Sequence, residues 1–207
     1  MIQDVNQTDF YSTVYNKLYA IGYHADIHYS HSYGLIEYLL QNCEFDTILD
    51  VGASTGAAVE KLQYSGKSAL GLEVSFEAAT RAFHFKRPVL WGCVTKIPFV
   101  NNYCDVVMST DMMEHLREQD VAQAVSEICR VAKKYIAMKI CPMPEAAGWG
   151  RKVGVENLHL TVKPLWWWKE QFTDRLKSLK KDFEFIFNNT DTFVIQLNRK
   201  GDKNENS

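Results

Sequence analysis

"ILDVGASTGAAVEKL", residues 48–62, decides the reading of this chain. It begins as a short apolar run, breaks at Gly52 and Gly56, and resumes with helical period. Glycines at such a break let the backbone turn tightly and come close to a ligand, while the start of the following helix offers free N–H groups and positive potential. A strand, a glycine loop and a helix in that order place a binding site at the end of the strand. The natural guest is a cofactor containing adenosine. Glu73 supports this, because it ends the next apolar run about twenty residues further on, where a carboxylate accepts from both ribose hydroxyls.

Outward from that loop, short apolar runs alternate with longer helical segments. "TILDV" (47–51), "SALGLEV" (68–74), "PVLWG" (88–92), "CDVVMS" (104–109) and "YIAMKI" (135–140) read as strands. Between them "TGAAVEKLQY", "FEAATRAFHF" and "EQDVAQAVSEICRVA" read as helices, the last with Val121, Val125, Ile128 and Ala132 on one stripe. This alternation predicts an α/β fold, a parallel sheet covered by helices. The rhythm changes after Ile140: an irregular stretch (141–162) leads to a helix opening at Pro164, then "DFEFIF" and "TFVIQL" joined by "NNTD". That hairpin adds an antiparallel edge. Two helices precede the first strand, "DFYSTVYNKLYA" and "SYGLIEYLLQN"; the first carries Tyr11, Tyr15 and Tyr19 four apart, a stripe read as core packing. The expected organisation is a single domain over 1–198, with a helical cap (1–44), a cofactor-binding core (45–140) and a substrate-side segment with the terminal hairpin (141–198). "RKGDKNENS" (199–207), without apolar residues, is expected to be a flexible tail.

Composition narrows the partners. The chain has 207 residues, 46% of them hydrophobic and 23% charged, with a formal charge of −2, the mix of an ordinary globular domain. Basic residues gather nowhere densely enough to follow a phosphate backbone, so nucleic acid is not expected as a partner. Cys43, Cys93, Cys104, Cys129 and Cys141 are odd in number and far apart, without a CxxC, which indicates neither a disulfide framework nor a zinc knuckle. A reducing, cytoplasmic setting is expected. The start lacks a secretory pattern, and no run approaches the roughly 18 apolar residues of a membrane span.

Asp50 selects the cofactor. At the end of the first strand an acid would repel the pyrophosphate of NAD, whereas it suits the ammonium and sulfonium of S-adenosylmethionine. "GKS" (66–68) fails as a phosphate loop, because Lys61 stands where the first glycine is required and a strand follows. The order "LDVGASTG" (49–56), "GLEVS" (71–75), "GCVTKIPFVNNYCDVVMSTDMMEHL" (92–116) and "VSEICRVAKKYIAMK" (125–139) resembles the class I S-adenosylmethionine-dependent methyltransferases. The resemblance implies a Rossmann-like fold: seven mostly parallel strands with the last antiparallel, helices on both faces and an N-terminal cap. It also implies that Asp50, Gly52, Ala53, Ser54 and Gly56 hold the methionine end, Glu73 and Val74 the ribose, and Ser109 and Asp111 the rim beyond the fourth strand. The product is then S-adenosylhomocysteine. Two positions depart from the family pattern. Ser54 replaces the middle glycine of the loop, and Cys93 replaces the acid that reads the adenine amino group, which leaves adenine to main-chain groups around Cys93 and Val94.

The acceptor end is expected after the fourth strand. In "STDMMEHL", Asp111, Glu114 and His115 share one face if the turn is helical, a base with an orienting acid. "NLHLTVKPLWWWKEQF" (157–172) supplies a second candidate base, His159, with Glu156 upstream. The spacing of Asp111, His115, Glu156 and His159 matches no metal motif, so no metal is predicted, although these side chains are of the types that bind a divalent ion. His24, His28 and His31 are read as surface or core histidines, and His84 as a helix cap. Trp166, Trp167 and Trp168 point about 100° apart on a helix, which puts Trp168 with Phe172 on the core and leaves Trp167 free to wall a substrate pocket. The arrangement of His159, Thr161, Pro164, Trp167 and Trp168 is similar to small methyltransferases of glycan biosynthesis in bacteria and large DNA viruses. It implies O-methylation of a sugar hydroxyl on a glycan or nucleotide-linked sugar, with Glu114, Glu156 and Trp167 contacting the acceptor. Other metabolites, a protein side chain, or a noncatalytic cofactor-binding subunit are the alternatives.

Overall fold

The structure, a computed structural model, describes residues 7–24 and 30–198. His28 and the expected tail (199–207) lie outside the described residues. In chain order the elements are α1 (Gln7–Ala20), α2 (Tyr33–Asn42), β1 (Thr47–Val51), α3 (Ala57–Tyr64), β2 (Ser68–Glu73), α4 (Phe76–His84), β3 (Val89–Trp91) and β4 (Cys104–Thr110). There follow α5 (Glu118–Val131), β5 (Ala132–Lys139), α6 (Trp149–Lys152), α7 (Leu165–Ser178), β6 (Asp182–Asn188) and β7 (Thr192–Asn198). None of these helices is long and apolar enough to cross a membrane.

The seven strands form one sheet in the order β3-β2-β1-β4-β5-β7-β6. β1 to β5 pair in parallel, and β7 runs antiparallel to both β5 and β6. The fold is the Rossmann-like one expected. The chain moves outward from β1 to β3, returns, and continues from β4 on the other side, so the order reverses between β1 and β4. At such a switch point the connecting loops part and leave a crevice beyond the carboxyl ends of the strands.

Successive strand residues face opposite sides, and the two apolar cores divide accordingly. Leu49, Val107, Ile136 and Ile195 belong to one core; their neighbours Ile48, Val106, Ala137 and Val194 belong to the other. The terminal hairpin forms the antiparallel end of the sheet as expected: β7 lies inside, because Phe193, Val194 and Ile195 are all fully buried and need cover on both faces, while the alternately exposed β6 tolerates the edge. Two local readings need correction. Ala132 starts β5 instead of continuing the α5 stripe, since its backbone pairs opposite Cys104. The stretch read as irregular contains the short helix α6.

The three tryptophans separate as helical geometry requires. Trp168 is fully buried together with Phe172 and Leu176, while Trp166 is 66% exposed. Trp167 is partly buried against the first core, edge-on to Trp168, with the Lys163 ammonium over its ring at 5.3 Å. Trp168→Ala is expected to cost about 3–5 kcal/mol of stability, and Trp166→Ala less than about 0.5 kcal/mol. Urea denaturation of the two variants measures the difference.

Candidate functional site

Above the switch point lies a cavity of about 410 Å³, lined on one side by the glycine loop and on the other by the segment after β4. The amides of Gly52 and Ala53 both donate to the Leu72 carbonyl, at 2.8 and 3.1 Å, which ties the loop to the end of β2. Glycine is required at position 52: φ is 85°, and a Cβ there would stand 2.6 Å from Met112 Cγ. Ser54, where the family has glycine, also lies in the left-handed region at φ 53°, a conformation that costs an L-residue roughly 1–2 kcal/mol. Two bonds hold it there. Its N–H donates to Glu73 Oε2 at 2.9 Å, and Tyr19 donates to its hydroxyl at 2.7 Å.

Asp50 and Glu73 sit close together and nearly unexposed beneath the loop. Burial, and then the neighbouring Glu73, pushes the Asp50 carboxyl up to about 7. Burial also raises Glu73, opposed by N–H groups that include those of Ser75 and Ser54. Two buried carboxyls in a cavity of this size form a site for a cation. Val74, Cys93 and Val94 line the same space, and Gly92 allows close packing there, since a Cβ would stand 2.7 Å from Leu72 Cδ1. Gly56 and Ser109 stand behind the lining. Gly56 caps α3 at φ 79°, and the Ser109 hydroxyl donates to the Val51 carbonyl at 2.7 Å, bracing β4 on β1.

The acid–histidine segment is a single 3-10 turn, Met113–His115, and not the α-helical face read from its spacing. Asp111, Glu114, His115 and His159 all line the cavity, but their partners differ from those expected. Asp111 accepts from the Lys139 ammonium at 2.7 and 2.8 Å and pairs with His31 at 3.1 Å, so it does not orient His115. That role falls to Tyr15, whose hydroxyl lies 2.5 Å from His115 Nδ1. Burial, then the His159 and His24 rings, pushes His115 down to about 3, which keeps it neutral at pH 7 and makes it a weak base. Burial lifts the Glu114 carboxyl to about 8. The His159 ring stands 4.7 Å from that of His115, its Nδ1 at 2.5 Å from the Met143 carbonyl. His159 is half-buried.

Two expected acceptor contacts lie elsewhere. Trp167 is outside the cavity lining for the packing reason given above, and Glu156 is exposed and also outside it. Conversely, Tyr15, Tyr19, His24, His31 and Lys139 reach the site although the sequence did not mark them as functional. The stripe of α1 is made of tyrosine and not phenylalanine, and that was the available signal: a buried phenol must find a partner. Tyr11 donates to Asp120, while Tyr15 and Tyr19 reach the site itself. Lys139 ends β5 in register with Thr110, one residue before Asp111.

The comparisons support an S-adenosylmethionine-dependent methyltransferase. Residues 49–135, the span from the glycine loop to β5, match the family described as a methyltransferase domain. No curated protein matches the sequence. Among solved structures, the chain is similar to the magnesium protoporphyrin IX methyltransferase of Synechocystis bound to S-adenosylmethionine: TM-score 0.66 and 9% identity, over 95% of this chain and 99% of that one. It is also similar to the YcgJ protein of Bacillus subtilis: TM-score 0.59 and 20% identity, over 76% of this chain and 70% of that one. The cofactor is S-adenosylmethionine. Asp50 and Glu73 are buried acids that line the cavity.

Proposed function

We propose that the enzyme methylates a hydroxyl oxygen of a small polyhydroxylated ring, a sugar unit of a glycan or of a nucleotide-linked sugar. One observation carries this reading: the half-buried imidazole of His159 shares a cavity with a rim of mixed donors and acceptors, Ser30, Ser32, Thr110, Asp111, Lys139 and Asp191. Such a rim suits a polyol, whose hydroxyls both donate and accept. The wall against which a ring lies is made by Tyr15, Tyr19 and Tyr23 in place of Trp167. In the reaction the acceptor oxygen forms a bond to the methyl carbon as the carbon–sulfur bond breaks. S-adenosylhomocysteine leaves as a neutral thioether, and the hydroxyl proton passes to His159 and then to water. Residues 1–198 act as one domain in this reading, and the five free cysteines suit a reducing, cytoplasmic setting.

The test is incubation with methyl-labelled cofactor and separate pools of carbohydrate, nucleic acid, protein and other metabolites. Label in carbohydrate is expected. Label confined to another pool overturns the sugar acceptor, and cofactor binding without formation of S-adenosylhomocysteine in any pool favours a noncatalytic subunit.

A further inference from the structure

Glu114 and His115, neighbours on the turn after β4, meet His159, from the segment before α7, on the cavity wall. One ligand-type atom of each lies within 4.8 Å of the other two. We propose that these three side chains bind a divalent first-row transition ion of the zinc and cobalt type, its open positions facing the acceptor. The proposal rests on reading this cavity as the acceptor site and adds an ion to it.

Glu114 provides the first argument. Its side chain is fully buried, Oε1 accepts from the Cys141 amide at 3.1 Å, and Oε2 is buried with no hydrogen-bond partner among the described residues. A bare buried acceptor is unfavourable, and a cation bound to it offsets that cost. Lys139 is committed to both oxygens of Asp111. The histidines provide the second argument. With Nδ1–H of His159 donated to the Met143 carbonyl, Nε2 is left as a lone pair; His115 Nδ1 is engaged by the Tyr15 hydroxyl, and the ion would replace the ring's bond to the Leu158 carbonyl. Imidazoles that ligate metal are held in this way, one nitrogen anchored and the other on the ion.

The donor set selects the ion. Two imidazoles and one carboxylate suit zinc, cobalt, manganese or ferrous iron, whereas magnesium and calcium prefer oxygen alone. Ligand atoms around a tetrahedral ion stand roughly 3.3 Å apart, given bonds of about 2.0–2.1 Å. Side-chain rotations of His159, the least buried of the three, close the remaining gap. With the ion bound, His159 Nε2 is a ligand and no longer takes the proton; an acceptor hydroxyl on the ion loses it more readily, as bound water does, and it passes to solvent.

The test titrates the full-length, chelator-treated protein with Co²⁺, followed by visible d–d absorption, with S-adenosylmethionine affinity measured in parallel. One equivalent per chain, displaced by Zn²⁺, is expected, with at least tenfold weaker uptake in His159→Ala and in Glu114→Gln. Retained cofactor affinity certifies that each variant is folded, and if Glu114→Gln does not fold, His159→Ala decides. No absorption band in the wild type, or equal uptake in the folded variants, overturns the site; His115 then simply donates to the nearby Leu158 carbonyl. Because Co²⁺ uptake is read without acceptor, it stands or falls separately from the sugar reading: a metal-binding protein that labels no carbohydrate retains the ion and loses the acceptor.

Discussion

Asp50→Asn is expected to weaken S-adenosylmethionine binding by roughly 10- to 150-fold, from the loss of about 1.5–3 kcal/mol that a hydrogen bond to a charged group contributes. Asp50 is almost wholly buried, and burial, with Glu73 beside it, disfavours its charged form. In the expected binding mode the cationic cofactor supplies the partner charge for this carboxylate. The pH dependence follows with a definite sign. Without cofactor the carboxyl is raised to about 7, so below that pH it is protonated, and binding of a cation must displace the proton. Affinity is expected to rise about tenfold between pH 6 and pH 8, the effect of one linked proton, and to lose that slope in Asp50→Asn. Calorimetry at a series of pH values measures both. A carboxyl raised on folding stabilises the folded state at pH below its unfolded value, and that stability is lost as pH rises through about 7 for Asp50 and about 8 for Glu114. The gain in melting temperature on adding cofactor is accordingly larger at pH 8 than at pH 6.

His159→Ala is expected to lower turnover by roughly 10²- to 10⁴-fold, the range for loss of a positioned proton acceptor, while cofactor affinity stays unchanged. His159 stands beside His115 on the acceptor side of the cavity, and its bond to the Met143 carbonyl contributes nothing to the glycine loop. Single-turnover methylation, with calorimetric cofactor binding, separates the two effects. A fall in affinity equal to the fall in rate would place His159 in the cofactor site instead. His115→Ala differs in kind: it removes a buried ring bonded to Tyr15, so reduced stability is expected beside any loss of rate.

The cofactor half was legible because its chemistry is written locally. Asp50, Gly52, Gly56 and Glu73 fall within one strand–loop–helix–strand unit, in which chain geometry alone sets which groups face the loop. Ser54 shows the limit of that legibility. Its left-handed backbone is imposed by the loop, but the hydroxyl that steadies it belongs to Tyr19, on a helix that precedes β1. Periodicity identified α1 and its tyrosine stripe, yet period alone does not separate a ring packed in a core from a ring whose hydroxyl reaches into a site.

The acceptor half was legible as residue types and not as partners. The sequence paired Asp111 with His115 by spacing; the turn is too tight for that face to form, and Asp111 meets Lys139 because two parallel strands end side by side. Trp167 was the freest tryptophan on a helical wheel, but a wheel does not show where the helix docks, and α7 packs on α5 away from the cavity. By itself the sequence determined the sheet, the glycine loop and the charge of the cofactor site, since these depend on residues a few turns of chain apart. The tertiary structure alone decided which side chains converge on the acceptor: Tyr15 and His115 are 100 positions apart, and only the packing of α1 over the switch point brings them within a hydrogen bond.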